Sequence, residues 1–315
     1  MKLRNCFHRI FNHHTSYPTW IINPLLACLL VTGIGACEDI IDVDLAEGES
    51  QLAVDAWITD QPGVQRIRLT RTTPYFDTAQ PPVVEAMVTV TDSEGQTFTF
   101  LGPDAQGFYT WDQGLDAVLG QIGRTYTLDI AYEGEQYRAT TVIRNVPPID
   151  SIGIELREEA FGTANGYYAV LWARDLPGIG DTYWIRTFKN GEFISQPSEM
   201  NLAYDAALGP GGNNDGLVFI IPVREGINPF TIENGRIQPP FALGDSVFVE
   251  IYSIPEETFN FMALAREQMT NGGLFATPIA NTRTNVSNIN PNSRKRAVGF
   301  FSGAGVSSAG VRIVE

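Results

Sequence analysis

Three thiols and three imidazoles set the limits of the chemistry open to this chain. The cysteines are Cys6, Cys28 and Cys37, the histidines are His8, His13 and His14, and all six lie within the first 37 of 315 residues. Beyond Cys37 there is neither thiol nor imidazole. Ser-His-Asp and Cys-His nucleophiles need an imidazole as general base, and most zinc and copper sites need imidazole or thiolate ligands. What remains is carboxylate chemistry, either an acid pair of the glycosidase kind or an all-oxygen calcium site, with Ser-Lys arrangements rarer still. No pair of acids stands out by spacing, and Asp42, Asp44, Glu47 and Glu49 lack the loop pattern of an EF-hand. The expectation is therefore no catalytic residues, no metal and no cofactor. A carboxylate-only glycan hydrolase is the least favoured function.

Cys37 has a chemistry of its own. Residues 1–36 carry Lys2, Arg4 and Arg9 and no acid, followed by an apolar run from Trp20 to Ala36 that ends in small side chains. That is the layout of a secretory signal. The run is shorter than the roughly 20 residues that span a bilayer and holds Pro24. Ile34-Gly35-Ala36-Cys37 resembles the bacterial lipobox: small residues admit the peptidase, and the thiol behind them is the group that becomes acylated. Leu25-Leu26-Ala27-Cys28 is a weaker version, because cutting there would leave half of the apolar segment in place. The expected product begins at a lipidated Cys37, forms no disulfide, and continues through an acidic tether over 37–50. Losing the three signal cations takes the formal charge from −15 to −18. Such a surface repels phosphate backbones and anionic headgroups, which excludes nucleic acid and leaves membrane attachment to the lipid.

The elements that follow are strands. In "YTLDIAY" Tyr126, Leu128, Ile130 and Tyr132 share one face while Thr127 and Asp129 share the other, and "RIRLTR" and "AMVTVTD" alternate likewise. Gln61-Pro62-Gly63, Ser93-Glu94-Gly95 and Glu133-Gly134 supply the turns. About seven such strands over 51–146 predict an immunoglobulin-like β-sandwich. The prolines of "NVPPIDSI" then mark a boundary, since they favour an extended linker over a central strand. Residues 147–315 read as a second mostly-β, sandwich-like domain. It contains "YYAVLWARD", "TYWIRTFKNGEF" with the hairpin pair Asn190-Gly191, "GDSVFVEIYSI", and one helix near 256–270 that opens on Pro255 and two acids. Residues 195–215 and 272–296 read as long irregular segments, a common setting for binding surfaces.

The segments "CEDIIDVDL", "LAVDAWITDQPGVQRIRLTRTTPYFD", "VVEAMVTVTDSEG", "GRTYTLDIAYEGEQYRATT" and "VPPIDSI", then "GDSVFVEIYSI", the Phe-rich helix, "TNVSNI" and "AVGFFSGAGVS", fall in a distinctive order. In that order they resemble the Bacteroidota outer-membrane lipoprotein family of unknown function, DUF4249. The resemblance implies a lipid-anchored protein of the outer membrane, facing the cell exterior, with the periplasmic face as the alternative. It also implies frequent association with TonB-dependent transporters of the starch-utilisation type, and it brings no catalytic residues. Asp77-Thr78-Ala79, Asp150-Ser151-Ile152 and Asp245-Ser246-Val247 resemble the O-glycosylation sequon of that phylum, which makes Thr78, Ser151 and Ser246 candidate sites, Thr78 first.

The expected function is that of a non-catalytic binding or accessory subunit working with a TonB-dependent transporter in nutrient capture. A structural or adhesive surface protein is the alternative, because a sandwich fold does not decide between roles. Aromatic residues on loops are the candidate ligand or partner contacts: Tyr75, Phe76, Tyr204 and Phe275. Their alternative role is at the edge of a core.

Overall fold

Alternating side chains build the first layers. The computed structural model describes residues 48–74, 77, 79–271 and 280–314, within a compact unit spanning Gly48–Glu315. Seven strands occupy its first half: β1 Leu52–Thr59, β2 Gln65–Arg71, β3 Met87–Asp92, β4 Thr97–Phe100, β5 Phe108–Trp111, β6 Thr125–Tyr132 and β7 Glu135–Val142. Strands β1, β2 and β5 lie in one sheet and β3, β4, β6 and β7 in another. Leu52, Val54, Ala56, Ile67 and Leu69 meet Val88, Val90, Leu128 and Ile130 between the sheets, every one of them buried. This is the expected sandwich.

The second half adds β8 Ile149–Arg157, β9 Gly166–Ala173, β10 Thr182–Lys189, β11 Glu192–Phe193, β12 Asn201–Tyr204, β13 Ile232–Glu233, β14 Arg236–Ile237, β15 Ser246–Ile254, β16 Ser287–Asn288 and β17 Ala297–Arg312. Among the described residues two α-helices, Ile221–Glu225 and Glu256–Thr270, complete a mainly-β architecture, the first a short turn of helix beyond the one expected from sequence. The hairpin pair behaves as its residue types dictate: Asn190 and Gly191 have φ of 53° and 83°, the positive values that a type I′ turn needs. The long helix starts where proline and acids place it, with Pro255 as N-cap and Glu256 and Glu257 in the first turn.

Strand β17 joins the two halves. Its first eight residues pair in parallel with β1, from Leu52↔Ala297 to Thr59↔Ala304. Its second eight pair antiparallel with β15, from Ser253↔Gly305 to Ser246↔Arg312. One eight-stranded sheet thus runs β11-β10-β15-β17-β1-β2-β5, with β12 also on β10. Glycine makes the junction possible. A Cβ on Gly305 would run into the backbone carbonyl of Arg144, where the chain leaves the first sandwich.

Each half has its own core, and the C-terminal segment serves both. Val286, Ala297 and Phe301, which the sequence reading groups with residues 147–315, are buried in the first core, and β16 pairs with β7. The second core lies between β10, β15 and the β8–β9 ribbon, closed by Phe219, Val223 and Ile227. Neither long segment is wholly irregular: 195–215 contains β12 on the edge of β10, and 272–296 contains β16.

Candidate functional site

Strands β10 and β15 are apolar on both faces, and only one face is covered along its whole length. Their inward residues, Tyr183 and Ile185 with Val247, Val249 and Ile251, fill the second core. Their outward residues stand opposite each other in register, Trp184↔Tyr252, Arg186↔Glu250 and Phe188↔Phe248. The long helix covers one end of this outer face, where Phe259 and Met262 pack with Tyr252, Ile254, Ala304 and Val306. Thr258 of the helix and Ser302 of β17 lie within hydrogen-bond distance there, 2.9 Å apart. The other end stays open, with Phe248 39 % and Phe193 37 % exposed.

Six rings form a connected array on the outer face. Trp57 lies 5.3 Å from Trp184 and 6.2 Å from Tyr252, centroid to centroid. Trp184 lies 5.7 Å from Tyr252 and 6.1 Å from Phe193. Phe188 continues the chain, 5.4 Å from Phe193 and 5.8 Å from Phe248. Such distances are those of favourable offset and edge-to-face contacts.

Arg186 sits among four of these rings. Its guanidinium carbon is 4.6 Å from the Phe193 centroid, 4.9 Å from Tyr252, 5.0 Å from Trp184 and 5.3 Å from Phe188. Nη1 donates to the Tyr252 hydroxyl at 2.6 Å and stands 3.3 Å from Glu250 Oε2. That pair is short of hydrogen bonds, since Arg186 Nε and Glu250 Oε2 are both buried without a partner. Burial pushes the Glu250 carboxyl above the usual carboxylate range even though Arg186 pulls it down. Burial likewise raises the Tyr252 hydroxyl. Arginine suits this place because its flat guanidinium stacks on rings and still presents several donors. The face can therefore stack against a flat or apolar surface at its open end, where Phe193 and Phe248 are exposed.

The groups best placed for acid–base chemistry lie elsewhere in the fold. Asp175, Asp181, Asp205 and Asp215 gather near the start of β10, and Asp181 is raised to about 6, by burial first and then by Asp175, with Arg144 opposing. Three of these acids staple loops: Asp175 accepts from the Tyr183 hydroxyl at 2.6 Å, Asp205 from Gly180 N–H at 2.8 Å, and Asp215 from Gly178 N–H at 2.7 Å. Among the described residues no group of three or more His, Cys, Asp or Glu is placed to hold a metal ion. A separate polar cavity of about 330 Å³ lies between Ser50, Arg71, Tyr132, Glu133 and the basic run Arg294-Lys295-Arg296. Glu133 already bridges Arg71 at 3.0 Å and Lys295 at 3.1 Å there.

The family model for DUF4249, a domain of unknown function, matches residues 38–309. The chain belongs to this family. No curated protein matches it. Among solved structures it is similar to a two-domain fibronectin type-III segment from chicken tenascin, at 15 % identity and a TM-score of 0.19, over 64 % of this chain and 89 % of that one.

Of the residues picked from sequence, Tyr204 and Ser246 lie on the same outer sheet face as the rings, Tyr204 at its helix-covered end and Ser246 beyond Phe248, while the others lie elsewhere or outside the described residues. Cys37, Tyr75, Phe76, Thr78 and Phe275 lie outside. Tyr204 closes β12 and packs edge-on against Phe259 at 5.7 Å, with its hydroxyl 3.5 Å from Glu256 Oε1. Ser151 is exposed on β8. Ser246 opens β15, and its N–H donates to Asn190 Oδ1 at 2.8 Å. Phe161 and Phe230 are exposed on loops, as the sequence signal of loop aromatics suggests for other residues, whereas the connected rings of the DUF4249 domain lie on strands. The signal that points to them is a pair of strands, "TYWIRTFK" and "SVFVEIYSI", with large apolar residues at both odd and even positions.

Proposed function

We propose that this DUF4249 protein is a non-catalytic binding subunit, held at the outer membrane by a lipid on Cys37 and serving a TonB-dependent transporter in nutrient capture. One observation carries the binding reading: a sheet face, open at one end, on which four rings of a six-ring array surround Arg186. Trp, Tyr and Arg contribute most per residue at binding surfaces, because they combine large contact area with directional polar groups. In support of the non-catalytic reading, three of the four acids gathered near the start of β10 hold loops through hydrogen bonds. The anchor and the transporter rest on the signal-like N-terminus and the family resemblance.

The test is a pull-down of tagged protein from detergent-solubilised outer membranes beside a Cys37→Ala variant. The proposal predicts a TonB-dependent transporter with the lipidated form and loss of membrane association in the variant. A surface-exposed protein that brings down no transporter would instead fit an adhesive or scaffolding role.

A further inference from the structure

We infer that Asn234 is a self-modifying residue, which loses its side-chain amide to water and becomes aspartate and isoaspartate independently of any ligand.

The chemistry needs an asparagine followed by glycine. The Gly235 main-chain nitrogen attacks Cγ of Asn234, an N–Cγ bond forms, the Cγ–Nδ2 bond breaks, and ammonia leaves with the proton of the Gly235 N–H. Water then opens the cyclic imide at one of its two carbonyls. One opening leaves aspartate, and the other routes the main chain through the side-chain carbonyl as isoaspartate. Nothing is oxidised or reduced. Glycine favours the attack because it has no Cβ to crowd the approach.

Asn165-Gly166, Asn190-Gly191, Asn234-Gly235 and Asn271-Gly272 all have the required sequence, and Gly272 lies outside the described residues. The structure separates the other three. Asn190 and Asn234 share one backbone shape, with φ of 53° and 83° through Asn190-Gly191 and of 50° and 74° through Asn234-Gly235, as type I′ turns require. Their amides differ. Asn190 Nδ2 donates to Asp245 Oδ1 at 2.9 Å, and its Oδ1 accepts from the Ser246 N–H at 2.8 Å. These bonds must break before Asn190 Cγ can turn to the Gly191 nitrogen. Among the described residues nothing bonds the Asn234 amide, and the residue is exposed.

The frames around the two turns differ as well. Ring closure needs the turn to leave its type I′ shape for a moment. Asn190 follows β10, which pairs with β15 over eight residues. Asn234 joins β13 and β14, two residues each, which pair only with each other as Ile232↔Ile237 and Glu233↔Arg236, with Gln238 N–H on the Thr231 carbonyl at their base. A ribbon this short opens readily, because a lone hairpin is marginally stable. At Asn165 it is the glycine that is held: Gly166 opens β9 opposite Arg157, and a Cβ there would strike Pro239. Isoaspartate at 234 would insert a methylene into the main chain of a two-residue loop and undo the Glu233↔Arg236 register, and either product sets a new carboxylate beside Glu233.

The test incubates the full-length protein in detergent micelles at mildly alkaline pH and follows it by peptide mass spectrometry, with isoaspartate read by isoaspartyl methyltransferase labelling. Asn234 should gain one mass unit and take the label at least tenfold faster than Asn165 and Asn190. In urea, which removes the frames that separate them, the three should convert at similar rates. No conversion of Asn234 in the folded chain overturns the assignment, as does conversion of Asn165 or Asn190 that keeps pace with it. A tenfold preference for Asn234 that persists in urea overturns the structural basis, since the local sequence alone would then set the site.

Discussion

Arg186 and Glu250 face each other across the β10–β15 register at 3.3 Å, yet neither completes its hydrogen bonds in the pair. Arg186 spends its donors on Tyr252 and its flat face on four rings. A partly buried ion pair left in this state is weakly stabilising at best, because desolvation offsets the attraction.

Removing one partner should cost more than removing both. Arg186→Met leaves Glu250 half-buried without its cation and should destabilise the fold by about 2–3 kcal/mol, below the usual figure for a fully buried pair because both side chains remain partly exposed. Arg186→Met combined with Glu250→Leu should recover most of that loss. Urea unfolding of the two single variants and the double variant measures the coupling, and purely additive losses would show that the two residues act independently.

The Asp181 carboxyl predicts a pH-dependent stability difference. Its pKa in the fold is pushed up to about 6 from the 3.8 of an ordinary aspartate. The protonated form is thus the one the fold prefers, so the contribution of this group is fully present below about pH 4. It is lost as pH rises to about 6 and stays lost above. Asp181→Asn should therefore raise the melting temperature at pH 7 and leave it unchanged at pH 4. Equal effects at both pH values would show that the charge is not what matters.

Gly305 predicts a local steric penalty. Gly305→Ala puts a methyl against the Arg144 carbonyl at the point where β17 passes from one core to the other. A clash with backbone has no easy relief, and overpacking of this kind costs about 1–3 kcal/mol. Gly48→Ala, with nothing near its Cβ, is the control and should be close to neutral. Chemical denaturation distinguishes the two.

Much of this architecture is legible in the chain because its strands alternate plainly. Tyr126, Leu128 and Ile130 are all buried as their spacing demands, and Asn190-Gly191 turns the hairpin it announces. Strand β17 is harder to read. Gly299, Gly303, Gly305 and Gly310 make it look like a loop, and the reason for Gly305 lies more than 150 residues away at Arg144. Its parallel pairing with β1 leaves no local trace, since it joins Leu52 to Ala297. The aromatic face is hidden for a related reason. Trp184, Phe188, Phe248 and Tyr252 pass as ordinary core residues until the register shows that they share the side opposite Ile185 and Val249.

Phe248 should matter for binding and little for folding. It is 39 % exposed at the open end of the ring array. Phe248→Ala should change stability by less than about 1 kcal/mol, as is usual for a surface position outside any buried network. The buried Phe301→Ala should cost about 3–5 kcal/mol. Thermal unfolding of both checks that the face is a working surface and not part of the core.

The most direct measurement places the photo-crosslinking residue p-benzoylphenylalanine at position 248 of the full-length protein and irradiates living cells. The same residue at position 115, where Leu115 is 85 % exposed but far from the rings in the strand order, is the control. If the aromatic face around Arg186 is the binding surface, position 248 yields a discrete adduct and position 115 does not. If position 248 yields no adduct, or both positions yield the same ones, the face is not where this protein binds.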